Sequence, residues 1–328
     1  MGVTLPHEHI FADSGSFWSK PSHEDEMRYV DSTISMNMIG FLLRNMLACK
    51  NNLILDDPET EARELLRFKA LGGKTIVEMT NRGLSPKPLA LRDLSTKLGL
   101  NIIAGCGHYL AQTHPPDVAN KSVDQLAEDI IGDIRLGIDG TDVRPGIIGE
   151  IGTSHPLFES EKKALRAAAR AHKATELAVS VHMAWRGKHA LEVLNILKSE
   201  GMDPAKIIID HMDDMENVSF EYQKAVAEQG AYIELDSFGQ ENYVDSDNFI
   251  HPRDVERVAA VVRLIDSGYL DRILISQDVY LKMYLRTYGG YGYDHIIRTI
   301  VPMLRRQGVT DSEIHRIMVD NPCRAIAY

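Results

Sequence analysis

Two histidines separated by one residue, His7 and His9, follow a short apolar segment near the start of the chain. Side chains two positions apart on a β-strand point to the same face, so both imidazoles would face together while Glu8 points away. Two imidazoles on one face of a strand end suit a divalent metal of the zinc type. A His-x-His pair alone is more often part of a polar loop, so other residues must decide between the two interpretations.

Four further side chains of metal-binding type end or interrupt apolar segments, namely Glu150, His182, His211 and Asp278. Taken singly, each has an ordinary explanation as a hydrogen-bonded core histidine, a helix-capping aspartate or a structural ion pair. Glu150 lies inside the apolar segment 146–152, where an unpaired carboxylate would be costly to bury. Together with the histidine pair, these residues would lie at the carboxyl ends of strands one, four, five, six and eight. Barrel enzymes build their active sites on that face.

The elements that must position these side chains alternate along the chain, with short apolar segments followed by longer segments of helical periodicity. About eight strands alternating with helices predict a (β/α)8 barrel, which we expect to form a single domain over residues 1–328. A doubly wound sheet is the alternative, but no Gly-rich phosphate turn follows the first strand. The predicted strands are Val3–Leu5, Lys74–Met79, Asn101–Cys106, Gly146–Ile151, Ala178–Val181, Ile207–Ile209, Ala231–Leu235 and Ile273–Ser276. The first crossover, about residues 10–55, is long and must hold an insertion over the barrel mouth or at a subunit contact.

The composition is that of an acidic globular protein, with 36 Lys and Arg against 47 Asp and Glu, a net charge of −11. This charge argues against binding to nucleic acid or to an anionic membrane, since either needs a basic face. The three cysteines form no paired motif, and their odd number fits a reducing compartment. No apolar run is long enough for a membrane span and no leader pattern is visible, so we expect a cytoplasmic protein.

The segments that carry these residues resemble the phosphotriesterase family of the amidohydrolase superfamily over essentially the whole chain. The matching segments are 4–9, 148–154, 181–182, 210–211, 276–278, 289–293 and 321–322. The resemblance implies a distorted (β/α)8 TIM barrel of the amidohydrolase type, a homodimer, and two bridged divalent metals. By this resemblance, one metal would be bound by His7, His9 and Asp278. The other would be bound by His182 and His211.

Glu150 occupies the position at which phosphotriesterase and its close lactonase relatives use a carboxylated lysine to bridge the metals. In this respect the chain is similar to the glutamate-bridged homology proteins, which include the phosphotriesterase-related branch. The difference argues against hydrolysis of true phosphotriesters. It does not argue against hydrolysis, because a glutamate carboxylate supplies the same two bridging oxygens.

The resemblance implies a zinc-dependent hydrolase acting on ester bonds. Two zinc ions would provide a bridging hydroxide that attacks a lactone, a carboxylic ester or amide, or a phospho- or phosphonate ester, and Asp278 would accept its proton. No Gly-x-Ser-x-Gly elbow or Cys/His pairing indicates a protein nucleophile. The alternative is a non-catalytic metal-binding barrel acting as a small-molecule binding module. Missing ligands would mark that case, and all six positions are filled.

Candidate substrate contacts follow the strands that carry the ligands, although loop packing or pairing at the surface would also explain each of them. The three cations among them predict an anionic small-molecule substrate, because a guanidinium group holds a carboxylate or phosphate well. The candidates are Tyr109, Trp185, Arg186, Tyr280, Lys282 and Arg286. Lys282 and Arg286 are four residues apart and could instead pair with acids on an exposed helical face. The acidic stretch 236–247 is predicted to be exposed to solvent.

Overall fold

The computed structural model describes residues 1–214 and 219–327. Eight strands form one nearly closed sheet in which neighbours are parallel and the spatial order follows the chain order. The predicted α/β barrel is therefore confirmed. The strands are β1 (Thr4–Glu8), β2 (Thr75–Glu78), β3 (Asn101–Cys106), β4 (Ile147–Thr153), β5 (Val179–Met183), β6 (Ile207–Ile209), β7 (Tyr232–Leu235) and β8 (Ile273–Ile275).

The first and last strands meet through hydrogen bonds at their carboxyl ends. The backbone N–H of His7 donates to the Ser276 hydroxyl at 3.2 Å, and the N–H of Asp278 donates to the His7 carbonyl at 3.3 Å. The buried Glu8 carboxyl accepts from the Ser276 hydroxyl at 2.7 Å and from the Gln277 N–H at 3.0 Å. Burial raises the pKa of Glu8 to about 8. These contacts fix His7 relative to Asp278.

Helices follow the strands because apolar positions recur there with helical spacing, and some of the first turns carry a side-chain cap. The helices are α1 (Ile39–Leu42), α2 (Pro58–Ala70), α3 (Pro88–Leu98), α4 (Val123–Leu136), α5 (Glu159–Thr175), α6 (Ala190–Ser199), α7 (Phe220–Glu228), α8 (Asp254–Asp266), α9 (Val301–Arg306), α10 (Asp311–His315) and α11 (Asn321–Ile326). At α2 the Asp57 carboxylate accepts from the Glu59 N–H at 3.1 Å. Within the described residues, no helix combines the length and the apolar character needed to cross a membrane.

Apart from the first three residues of β3, the strands are buried on both faces, as expected for a parallel sheet covered by helices. One face contributes Ile147, Ile208 and Leu274 to a cluster that also contains Ile326 of α11. Residues at the alternate positions along the strands, such as Ile76, belong to the larger apolar cluster between the sheet and the helices. The barrel interior below the candidate site is therefore a packed core, as in other barrels of this type.

Two segments outside the alternating pattern lie at the barrel mouth. Residues 10–55 contain α1, several 3-10 turns and a short antiparallel ribbon that pairs 12–13 with 54–55. A second ribbon, which pairs 243–244 with 249–250, follows β7. The two segments meet where the Tyr243 N–H donates to the Leu43 carbonyl at 2.9 Å. Because Phe17 and Leu47 line the cavity described below, the predicted insertion lies over the mouth.

Candidate active site

The structure brings together all six side chains that the sequence predicts as ligands, at the carboxyl ends of β1, β4, β5, β6 and β8. Each is at least nine-tenths buried. Their nitrogen and oxygen atoms form overlapping groups within 4.8 Å of one another. The groups are His7 with His9 and Glu150, His7 with His211 and Asp278, and Glu150 with His182 and His211.

The Glu150 carboxylate lies at the centre of this cluster and faces both halves of it. Its Oε1 is 3.2 Å from Nε2 of His9. Its Oε2 is 3.0 Å from Nδ1 of His182 and 3.7 Å from Nε2 of His211. One oxygen therefore faces each of the two predicted ligand groups, which is the arrangement that a bridging carboxylate needs.

Asp278 completes the cluster from the end of β8. Its Oδ1 is 3.3 Å from Nε2 of His9 and 3.7 Å from Nε2 of His7. Asp278 and His211 both adopt left-handed backbone conformations, with φ of 49° and 56°. Such conformations cost a residue with a side chain about 1–3 kcal/mol and persist where the surroundings hold them. The strained backbone at both positions is consistent with side chains aimed at a functional point.

The donor atoms of the cluster fit a pair of divalent metal ions. Both ring nitrogens of His7 and Oδ1 of Asp278 are buried without a hydrogen-bond partner. Nε2 of His211 lies 2.7 Å from Nδ1 of His182, and two ring nitrogens so close can share at most one proton. Lone pairs left open in this way are those that imidazole and carboxylate ligands offer to a metal. The buried His, Glu and Asp clusters are thus consistent with a binuclear metal site.

The ionisation of the carboxyls agrees with this role. Burial raises the pKa of Glu150, but hydrogen bonds from His182, His211 and His9 outweigh it and leave that pKa well below its usual range. For Asp278, burial is likewise outweighed by His9, whose Nε2 lies 3.3 Å from Oδ1, and by the charges of His7 and His211, so its pKa is lowered. Both carboxyls are therefore ionised near neutral pH, as metal ligands must be.

Supporting residues that the sequence did not single out orient the histidines. Nδ1 of His211 lies 2.8 Å from Oδ1 of Asp236, and Nδ1 of His9 lies 2.8 Å from the Thr80 hydroxyl. Partners of this kind fix which ring nitrogen faces a metal. The prediction that the stretch 236–247 is exposed is wrong for much of its length, since Asp236, Ser237, Phe238, Gln240, Asn242 and Val244 are buried. The available signal at Asp236 was a carboxylate directly after the apolar strand β7.

Deeper in the barrel, His7 faces an acidic group. Its Nδ1 lies 3.7 Å from Asp210, 3.5 Å from Glu234 and 3.5 Å from Asp236. Burial, followed by the charges of neighbouring acids, raises the pKa values of Asp210 and Glu234 well above their usual range. Glu234 stands in the middle of an apolar strand, so its position in the sequence was a usable signal.

A cavity of about 360 Å³ opens next to the cluster. Of the predicted substrate contacts, four line it: Tyr109, Trp185, Arg186 and Tyr280. The Tyr109 hydroxyl is 3.2 Å from Nδ1 of His182. The Trp185 ring stacks on Phe249 of the second ribbon, with centroids 5.6 Å apart.

Lys282 and Arg286 are not among the described residues that line the cavity. Nζ of Lys282 lies 3.7 Å from the carboxylate of Asp56, and Nε of Arg286 lies 3.4 Å from that of Asp294. The chain after β8 forms two short 3-10 turns, and these direct both cations toward acids outside the cavity. The structure therefore favours the pairing alternative for these two residues, although each lies in its own turn rather than on one helix.

A parallel eight-stranded barrel whose strand ends join four histidines and two carboxylates beside a cavity defines a hydrolase fold of the amidohydrolase type. The model of the Phosphotriesterase family matches residues 1–326, and the chain belongs to this family. Its curated relatives place it in the branch of phosphotriesterase-related proteins and N-acetyltaurine hydrolases. The resemblance stated from the sequence is confirmed.

Two relatives and two solved structures illustrate the similarity. The chain is 37% identical to the N-acetyltaurine hydrolase of Bos taurus, over 100% of this chain and 94% of that protein. It is 35% identical to a phosphotriesterase-related protein of Nematostella vectensis, over 98% of this chain and 93% of that one. A resiniferatoxin-binding protein from Rhodobacter sphaeroides superposes with a TM-score of 0.97 at 37% identity, over 99% of this chain and 90% of that one. A lactonase from Listeria monocytogenes superposes with a TM-score of 0.80 at 27% identity, over 100% and 95%.

Proposed function

We propose that this protein is a zinc-dependent hydrolase that cleaves the amide bond of a small N-acylated acid, with N-acetyltaurine as a substrate. The observation that carries the proposal is the cluster of all six candidate ligand side chains beside a cavity of about 360 Å³. Relatives that cover the whole chain hydrolyse N-acetyltaurine, which favours an amide over the ester bond expected from the sequence.

In this proposal, His7, His9 and Asp278 hold one ion, and His182 and His211 hold the other. Glu150 faces both groups. When bound, two divalent ions would supply an activated water and would polarise the acyl carbonyl. The predicted catalytic residue, Asp278, then accepts a proton and delivers it to the nitrogen of the leaving amine.

Tyr109 is the second side chain that we expect to touch the reacting group. Burial raises the pKa of its hydroxyl well above the usual range, so the group stays protonated. A protonated hydroxyl on the cavity wall, 3.2 Å from His182, can donate a hydrogen bond to the substrate oxygen on which charge develops.

Arg186 is the residue that we expect to hold the anionic end of the substrate. It is the one Lys or Arg among the described residues that line the cavity. It follows β5, which carries His182, in the loop 184–189 that leads to α6. A guanidinium group at the cavity wall suits a sulfonate or carboxylate, which it can hold through two parallel hydrogen bonds.

The similarity to a resiniferatoxin-binding protein favours a second candidate, a barrel that binds a small molecule without cleaving it. The two candidates differ in turnover. We expect zinc-loaded protein to release taurine from N-acetyltaurine and chelator-treated protein to release none until zinc is restored. Tight binding of N-acetyltaurine without any release of taurine would overturn the hydrolase proposal and support the binding module.

The same assay separates amide from ester hydrolysis. We expect kcat/KM for N-acetyltaurine to exceed kcat/KM for a simple lactone such as γ-butyrolactone. The opposite order would favour a lactonase, which is what the similar protein from Listeria monocytogenes is called. The homodimer expected from the resemblance stays a prediction, which the mass of the native protein in solution checks.

A further inference from the structure

The wall of the cavity differs in character between its two sides. The loops after β1, β2 and β3 contribute Phe17, Leu47, Leu84 and Leu110. The loops after β4, β5 and β6 contribute mostly polar and charged side chains, among them Ser154, His155, Arg186 and Asp214, together with Ala184 and Trp185. Because neighbouring strands of a barrel stay neighbours at its mouth, the first group forms one side of the cavity and the second group the other.

The apolar side is a built surface that hydrogen bonds hold together. The Asp13 N–H donates to the Leu84 carbonyl at 2.9 Å, which ties the first crossover to the loop after β2. The Ser19 N–H donates to the Leu47 carbonyl at 3.2 Å, which ties the segment that carries Phe17 to Leu47. The Phe17 ring meets the Tyr109 ring edge-on, with centroids 5.9 Å apart. Phe17 and Leu47 are only half-buried, so part of their apolar surface faces the cavity.

The size of the cavity exceeds what an acetyl group needs. A volume of about 360 Å³ falls within the range of about 300–1,000 Å³ typical of pockets for drug-sized ligands. N-acetyltaurine is much smaller than such ligands, and its acyl part beyond the carbonyl is one methyl group. With that substrate bound, water would remain against the leucine side chains, and displacing it by apolar groups is favourable.

We propose that the physiological substrate is amphipathic, with an acyl chain longer than acetyl. The chain lies along the side made by Phe17, Leu47 and Leu84, and the anionic head lies at Arg186. This inference rests on the proposed hydrolase function and names the substrate class of the same site. Water adds across the amide C–N bond, so the oxygen goes to the acyl carbon and a proton to the amine. The products are a carboxylate of medium chain length and an amino acid or amino sulfonate.

The test is a series of N-acyltaurines with the head kept constant and acetyl, butanoyl, hexanoyl and octanoyl chains, assayed by taurine release from zinc-loaded protein. We expect kcat/KM to rise about three- to fourfold for each methylene added until the cavity is filled. A monotonic fall from acetyl onward would overturn the acyl-chain proposal and leave the amidase assignment intact. Release of taurine from none of the four would overturn the proposed function itself.

A variant on the apolar side locates the effect. Leu47→Trp fills space at the wall, so we expect the ratio of kcat/KM for hexanoyl- over acetyltaurine to fall at least about tenfold. Leu43→Trp is the matched control, because Leu43 lies on the same crossover, is 42% exposed and does not line the cavity. Leu47→Ala, which does not insert a large side chain, should lower the same ratio by less. An unchanged ratio in both Leu47 variants would contradict the proposed position of the chain.

Discussion

The two ends of the barrel treat buried polar groups differently. At the amino end, the half-buried Lys206 ammonium donates to the carbonyls of Arg324, Ala325 and Ala327 at 2.9–3.3 Å. Beside it, the Asn321 amide donates to two further carbonyls. At the carboxyl end, both ring nitrogens of His7 have no hydrogen bond. Lys206 and Asn321 at the amino end thus find their hydrogen-bond partners within the chain, whereas the ring nitrogens of His7 at the carboxyl end do not.

This difference separates groups that stabilise the fold from groups that serve a ligand. A buried polar atom without a partner costs about 1–3 kcal/mol, so native proteins keep few of them. Asn321 at the amino end avoids that cost. The carboxyl end accepts it at His7, Glu234 and Asp278. A bound metal would offset this cost where the unpaired nitrogen and oxygen atoms lie close together, which agrees with the proposed function.

The largest expected effect comes from removing ligands at the carboxyl end. In the double variant His7→Ala with His9→Ala, we expect metal content to fall from about two ions per chain to one or fewer, because two imidazole ligands are lost. Amide hydrolysis should fall at least about hundredfold. Elemental analysis and taurine release measure both effects. A control with two exposed histidines changed, His23→Ala with His315→Ala, should keep both properties. Unchanged metal and activity in the first variant would show that these histidines are not ligands.

The next effect concerns Arg186 and depends on the substrate. In Arg186→Met, kcat/KM for N-acetyltaurine should fall roughly ten- to hundredfold, because a hydrogen-bonded charge contact is worth about 1.5–3 kcal/mol. The neutral methyl sulfone analogue of N-acetyltaurine should lose almost nothing. Lys188→Met removes a cation from the same loop but away from the cavity wall, so both substrates should be unaffected. Equal losses on both substrates in Arg186→Met would indicate a structural role for this arginine.

The clustering of the six candidate ligands and the fold were predictable for the same reason. Each candidate ligand stands at or near the end of an apolar segment, and the period of strands and helices is readable in the sequence. In a parallel barrel, strand ends converge on one edge, so position along each strand is sufficient to predict proximity. The phosphotriesterase-related branch of the family was likewise predictable, because position 150 carries a glutamate instead of a lysine.

The sequence signals at the supporting groups could mark them as candidates but could not predict their roles, because these roles depend on neighbours in space. Asp236 orients His211 across the contact between β6 and β7, and an acidic residue after a strand has several ordinary explanations. The directions of Lys282 and Arg286 depend on how the chain turns after β8 and on where Asp56 lies. Charge and sequence proximity to a ligand were insufficient to place these side chains at the cavity.

A buried histidine nitrogen that lacks a hydrogen bond, outside the cluster of candidate metal ligands, should make the folded protein less stable at acidic pH. His108, in the loop after β3, is buried with Nδ1 lacking a hydrogen bond, and burial followed by the nearby His114 lowers its pKa to about 4. Above pH 6.5 this imidazole is neutral in both the folded and the unfolded chain. Between pH 6.5 and pH 4 only the unfolded chain binds the proton. The free energy of unfolding should therefore fall by up to about 3 kcal/mol over this range.

Measuring the free energy of unfolding against pH for wild type and His108→Phe isolates this group. Other titrating groups contribute to both curves, so the difference between the curves reports His108. We expect the wild type to lose more stability than the variant as pH falls from 6.5 to 4, and no further divergence below pH 4. Parallel curves would mean that the histidine is protonated equally in both states.

The smallest effect is expected at the amino end, and it should change stability alone. Asn321 is fully buried at the start of α11, and its amide donates to the carbonyls of Leu270 and Ile273, both at 2.8 Å. Asn321→Leu keeps the volume but leaves both carbonyls without that donor, so the free energy of unfolding should fall by about 2 kcal/mol. Metal content and kcat/KM should stay at wild-type values below the unfolding transition, since the ligands lie at the other end of the strands. The exposed Asn120→Leu should change stability by less than about 0.5 kcal/mol. Loss of metal from folded Asn321→Leu would show that the two ends of the barrel are coupled.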